Sequence, residues 1–176
     1  MLLVAATERE LALVRDAETL CCGVGPVDAA ATTARAIAER RPDAVLHIGL
    51  AGARGIAPPA LVLGSESLYS DVVDPGSEFP RVERVAPDAA LLARLRVLLP
   101  DALVLPIATS GRVGGATSCD VEAMEGFGVL RACELAGVPA LELRAVSNDI
   151  GEADRAKWRF DDALAALRDA VARVLG

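Results

Sequence analysis

The sequence predicts an α/β protein: a three-layer sandwich with a central, mostly parallel twisted sheet and helices on both faces. Two observations carry this. Short apolar runs of strand length alternate with amphipathic stretches of helix length along all 176 residues. No shift of composition and no internal repeat divides the chain, so residues 1–176 read as one domain of ordinary size.

Residues 2–6 open the chain as a buried strand, and residues 8–15 follow as a helix with Thr7 as its N-cap. Residues 20–24 read as a second strand, ended by Gly23-Val24-Gly25. Pro26 suits the first turn of a helix running to about Arg40. Residues 43–48 form a third strand and residues 49–55 a glycine-rich loop. Residues 61–73, mixed β-branched and polar, hold one or two strands. A helix over 88–99, a strand over 103–108 and a flexible loop over 111–118 come next. Residues 121–136 read as one strong helix, 140–146 as a strand, and 161–175 as a closing amphipathic helix. In such sheets ligands bind beyond the carboxyl ends of the strands, which singles out the segments after Ala6, Ile48, Ala108 and Val146.

Composition narrows the function. Hydrophobic residues make up 53% of the chain and aromatics 3%, so the core is built from many small contacts. A net charge of −7 argues against nucleic acid or an anionic membrane as partner, since both need clustered Lys and Arg. The amino-terminal segment has no secretory pattern, and no run of about 18 apolar residues exists to span a membrane, so a cytoplasmic protein is expected. Cys21, Cys22, Cys119 and Cys133 lack metal-ligand spacing and read as small thiols in a reducing compartment. The single histidine, His47, sits in an apolar run and reads as a hydrogen-bonded core residue. Neither a metal nor a cofactor is expected. Gly23-Val24-Gly25-Pro26 lacks the third glycine of a dinucleotide fingerprint.

Three segments could carry chemistry. In Thr7-Glu8-Arg9-Glu10 the acids either complement the helix dipole or place a carboxylate at the mouth of the sheet. In Glu122-Ala123-Met124-Glu125-Gly126-Phe127, Glu125 has apolar and glycine neighbours. Such an acid is costly to bury without hydrogen-bond donors, and a sugar diol offers two O–H donors at once. Glu122 reads as a solvated charge at a helix start. Finally, Arg144, Ser147, Asn148 and Asp149 end an apolar strand abruptly, either as a turn or as a binding site.

Together these segments resemble the nucleoside phosphorylase/nucleosidase family. Met124-Glu125 in VEAMEG is similar to its ribose-binding pair. RAVSND, from Arg144 to Asp149, is similar to its purine-binding strand end. Thr7-Glu8-Arg9-Glu10 resembles its amino-terminal acidic cluster, and GVGPVDAA and HIGLAGA its two glycine turns. The stretch RAVSNDIGEADRAKW resembles most closely the members that release hypoxanthine in a route to menaquinone.

The resemblance implies a nucleoside phosphorylase-like fold, a homo-oligomer, a purine nucleoside substrate and an enzyme that cleaves the N-glycosidic bond with water. It implies Glu10 as the group that activates water and Asn148 as the catalytic contact to the base. Met124 and Glu125 would hold the ribose, and Ser147 would support Asn148. Arg144 would either contact substrate or pair with a buried acid. Cleavage of adenine nucleosides, phosphorolysis and a nucleoside-binding module without turnover are the alternatives. Leu50 argues against phosphorolysis, because phosphorylases of the family place a polar phosphate ligand there.

Overall fold

The computed structural model describes all residues except 13, 16, 73–75, 77, 79, 115 and 116. Among the described residues, eight strands and five α-helices follow in the order β1 (Leu2–Ala5), α1 (Glu8–Leu11), β2 (Glu18–Cys21), α2 (Pro26–Arg40), β3 (Val45–Ala53), β4 (Leu61–Tyr69), β5 (Arg84–Val85), α3 (Ala89–Leu98), β6 (Leu103–Thr109), β7 (Val121–Ala123), α4 (Gly126–Ala136), β8 (Ala140–Asp149) and α5 (Phe160–Leu175). A 3₁₀ turn, Arg155–Lys157, precedes α5.

The α/β class holds, but the sheet is mixed and closed rather than mostly parallel. β1 joins β2 and β3 in parallel. The chain of pairings β3–β8–β4–β6–β7 then returns to β3 and closes a ring. Three of the contacts are antiparallel: β3 with β7, β4 with β8, and β4 with the short β5. Closure occurs because β3 runs on past the open part of the sheet, and its last residues, Gly52 and Ala53, take Glu122 and Val121 of β7 as partners.

Alternation along the strands separates the packing layers. Leu3, Leu46, Ile48, Leu141 and Leu143 face α3 and α5 through Leu95, Leu99, Leu167 and Val171. Leu2, Val4, Val45 and Ala140 face α2 and α4 through Ala36, Ile37, Leu130 and Cys133. A third cluster, including Ala51, Val62, Ile107, Val121 and Val146, gathers around the closed ring. The two large clusters bury apolar surface at about 25 cal/mol per Å², the main term holding the helices to the sheet.

Four local expectations are corrected. The glycine-rich stretch 49–55 is strand as far as Ala53. Gly49 and Gly52 serve close approach, a Cβ falling 2.2 Å from Arg144 Nη1 at Gly49 and 3.1 Å from Asn148 Nδ2 at Gly52, while Gly55, with φ +66°, lies in the bend that follows. Residues 121–136 are not one helix. Val121–Ala123 is recruited into the sheet by β3 and β6, and the helix begins only at Gly126 with Glu125 as N-cap. The strand predicted over 140–146 continues to Asp149, so Ser147 and Asn148 belong to β8. The helix predicted over 8–15 is also shorter, a single turn ending at Leu11.

Candidate active site

The open ends of β1, β3 and β8 and the junction between β7 and α4 surround a cavity of about 310 Å³. All six residues singled out in the sequence line it: Glu10, Met124, Glu125, Arg144, Ser147 and Asn148. Among the described residues, no group of three or more His, Cys, Asp or Glu could hold a metal ion.

Glu10 has two tasks. It is the third residue of α1 and closes a capping box, its Oε2 accepting from the Thr7 backbone N–H at 3.0 Å and the Thr7 hydroxyl at 2.7 Å. Its Oε1 reaches across the sheet and accepts from the Leu50 N–H at 3.1 Å. These three donors fix the carboxylate at the cavity wall. A carboxylate has about four acceptor positions, so one remains for a ligand or water. The helix-start role and a place on the cavity wall therefore coexist in one residue.

Glu125 approaches from the other side. Its Oε1 accepts from the Gly25 N–H at 3.2 Å, and its Oε2 lies 3.4 Å from Arg144 Nη2. Gly25 has φ +93°, a conformation that suits glycine at the turn leading into α2. Burial raises the Glu125 carboxyl above its ordinary value, a shift that Arg144 opposes without cancelling.

Arg144 is wholly enclosed and mostly committed to protein partners. Its Nε donates to Glu142 Oε1 at 2.8 Å, Nη2 to His47 and Glu125, and Nη1 to the Leu50 carbonyl at 3.4 Å. Of its two expected roles, pairing with a buried acid is therefore what the structure contains. His47 is the satisfied core residue expected: its Nδ1 is 3.0 Å from the Val4 carbonyl, which can only accept. Nδ1 thus carries the hydrogen, and Nε2 accepts from Arg144. Burial and the adjacent guanidinium hold the imidazole well below its usual pKa, so it is neutral at neutral pH.

A bulge shapes the β8 side of the cavity. β3 and β8 pair Ala51 with Val146 and then Gly52 with Asn148, leaving Ser147 as the extra residue. Consecutive residues of a strand normally face opposite sides; here Ser147 and Asn148 both line the cavity. The Ser147 hydroxyl donates to Asn148 Oδ1 at 2.8 Å, and Asn148 Nδ2 donates to the Asp149 carbonyl at 2.9 Å. This pair fixes the orientation of the amide and leaves one Nδ2 hydrogen for a ligand.

Several wall residues escaped the sequence reading. Trp158, Phe160 and Leu164 supply apolar surface, and Val113 with Gly114 comes from the loop before β7. The clustering of Trp158 and Phe160 was a usable signal in so aromatic-poor a chain. Glu122, expected in solvent, is buried on β7, where it accepts from the Gly114 N–H at 3.0 Å and lines the cavity.

Residues 17–113 match the phosphorylase superfamily, and the chain belongs to that superfamily. It is 38% identical to futalosine hydrolase of Streptomyces coelicolor over 89% of this chain and 77% of that protein. Futalosine hydrolase of Thermus thermophilus is 32% identical over 87% and 78%. Among solved structures, MTA/SAH nucleosidase of Streptococcus pneumoniae in complex with 8-aminoadenine superposes with a TM-score of 0.84 at 22% identity, covering 99% of this chain and 97% of that one. Native futalosine hydrolase of Helicobacter pylori gives 0.86 at 15% identity, over 99% and 96%. These two share the fold.

Proposed function

We propose that this protein hydrolyses the N-glycosidic bond of futalosine, releasing hypoxanthine. The observation that carries the reading is the arrangement of Glu10, Glu125 and Asn148 around one cavity, in a chain whose relatives are futalosine hydrolases. In the reaction the departing purine keeps the bonding electrons, positive charge develops on the ribose, and a water oxygen forms the new bond to C1′. Glu125 accepts the two ribose hydroxyls and Met124 packs against the sugar. Glu10 orients the water and takes its proton. Asn148, held by Ser147, donates to the purine as negative charge develops there.

Water is the acceptor on this reading. Three acids, Glu10, Glu122 and Glu125, line the cavity, and Leu50 presents an apolar side chain to it. A phosphate dianion would meet repulsion and find only Arg9 and the already engaged Arg144 as cations.

Asn148 sets the choice of base. The free Nδ2 hydrogen can donate to N7 or to O6 of a 6-oxopurine, both of them acceptors. A 6-aminopurine presents N6–H₂, which needs an acceptor, yet Asn148 Oδ1 is turned to Ser147. Buried polar groups left unpaired discriminate strongly. Wild-type kcat/KM is therefore expected to favour hypoxanthine nucleosides over matched adenine nucleosides, and Asn148→Asp to shift the ratio towards adenine. Equal use of both bases, or an unshifted ratio in the variant, contradicts the assignment.

A further inference from the structure

Arg144 touches four groups, and only two of them, Glu125 and Leu50, line the cavity. The other two, Glu142 and His47, are wholly buried behind it. We infer that Glu142 and His47 are positioning residues: together they clamp the Arg144 guanidinium between the two site carboxylates. This rests on reading Glu10 and Glu125 as the working acids of a nucleosidase.

The clamp is specific in its bonds. Glu142 holds Nε at 2.8 Å, whereas Glu125 lies 3.4 Å from Nη2. The tighter bond goes to the acid that no ligand can reach. Glu125 can then turn its lone pairs to a sugar diol without releasing Arg144. His47 fixes the rotation of the same guanidinium, because its Nδ1 hydrogen is committed to Val4 and Nε2 is an acceptor aimed at Nη2. The far side of the guanidinium meets Glu10 across Gly49, where a Cβ would fall 2.2 Å from Nη1 and 2.9 Å from Glu10 Oε1. One cation thus stands between two carboxylates that would otherwise repel each other.

Glu142 has no other visible use. Its Oε2 has no hydrogen-bond partner among the described residues, a costly state for a buried acid. The fold also reserves space for it: a Cβ on Gly126 would fall 2.1 Å from Oε2 and 2.3 Å from Oε1. A buried acid and a glycine in the first turn of α4 are both given over to a single bond to Nε.

Two readouts test the clamp. Glu142→Leu removes both charge and acceptor, Glu142→Gln keeps an acceptor oxygen, and Gly126→Ala displaces the carboxylate without altering its charge. Misplacing a positioned group by about 1 Å can cost about 10²-fold in rate. We expect Glu142→Leu to lose kcat by about that factor, with KM moving far less, and Glu142→Gln to lose less than Glu142→Leu. The second readout needs no substrate. His47 is the chain's single histidine, so in untagged protein its imidazole ¹⁵N signals require no assignment. They should show a neutral Nδ1–H ring in the wild type, with the Nε2 resonance moved in both Glu142→Leu and Gly126→Ala. Folded Glu142→Leu with kcat within threefold of wild type, or an unmoved Nε2 resonance in both variants, overturns the clamp. Should the wild type release no base from any purine nucleoside, the functional reading fails instead, and the Nε2 resonance alone then decides for or against the clamp.

Discussion

Glu10→Gln is expected to lower kcat by about 10²–10⁴-fold while leaving substrate affinity near that of the wild type, the loss typical of a missing general base. The substitution separates the two tasks of this residue. Glutamine serves as well as glutamate at the third position of a capping box, so α1 should keep its start. The single amide oxygen can keep the two Thr7 bonds, but the NH₂ then faces the Leu50 N–H and that bond is lost, so the fold of the variant is checked beside its kinetics. Also lost is the ability to take a proton. Steady-state kinetics with a ligand-binding measurement check this, and near-normal kcat in the folded variant removes Glu10 from the mechanism.

Glu125→Gln should behave differently, because the ribose is held in the ground state as well as in the transition state. Affinity and kcat are both expected to fall, and 2′- and 3′-deoxy nucleosides should reproduce part of the loss with the wild type. Unchanged discrimination against the deoxy analogues would show that residue 125 does not touch the diol. Glu125 also sets an expected pH dependence. Only the ionised carboxylate accepts from both hydroxyls, and burial raises its pKa above the ordinary value of 4.5. At a given acidic pH a raised pKa means less carboxylate. The fall of kcat/KM towards acid should therefore begin at higher pH than an exposed glutamate would give, and the position of that limb should change in Glu125→Gln. An acid limb unchanged in the variant assigns it to another group.

The strand–helix alternation was legible because periodicity records which face of each element is buried. Leu2–Ala5, Pro26–Arg40 and the helix of residues 89–98 lie almost where propensity and capping place them. The closed ring was not legible. It depends on Gly52 and Ala53 finding Glu122 and Val121, a pairing between segments about seventy residues apart that leaves no local pattern. The same pairing explains the misread helix start and the misplaced Glu122. The six candidate residues came from ordered resemblance, and the structure brings all six to one cavity. The bond between Arg144 and Glu142 was not, although both stand on one face of β8 two residues apart, because an apolar strand gives no sign that a buried acid and base alternate within it. Nor was the bulge at Ser147, which needs the register of two strands to be seen.

Cleavage of futalosine in ¹⁸O-labelled water, with and without inorganic phosphate, tests the central claim most directly. The account predicts hypoxanthine and a free sugar carrying one ¹⁸O at C1′, formed at a rate independent of phosphate. A sugar 1-phosphate, a rate that requires phosphate, or no release of base would contradict it.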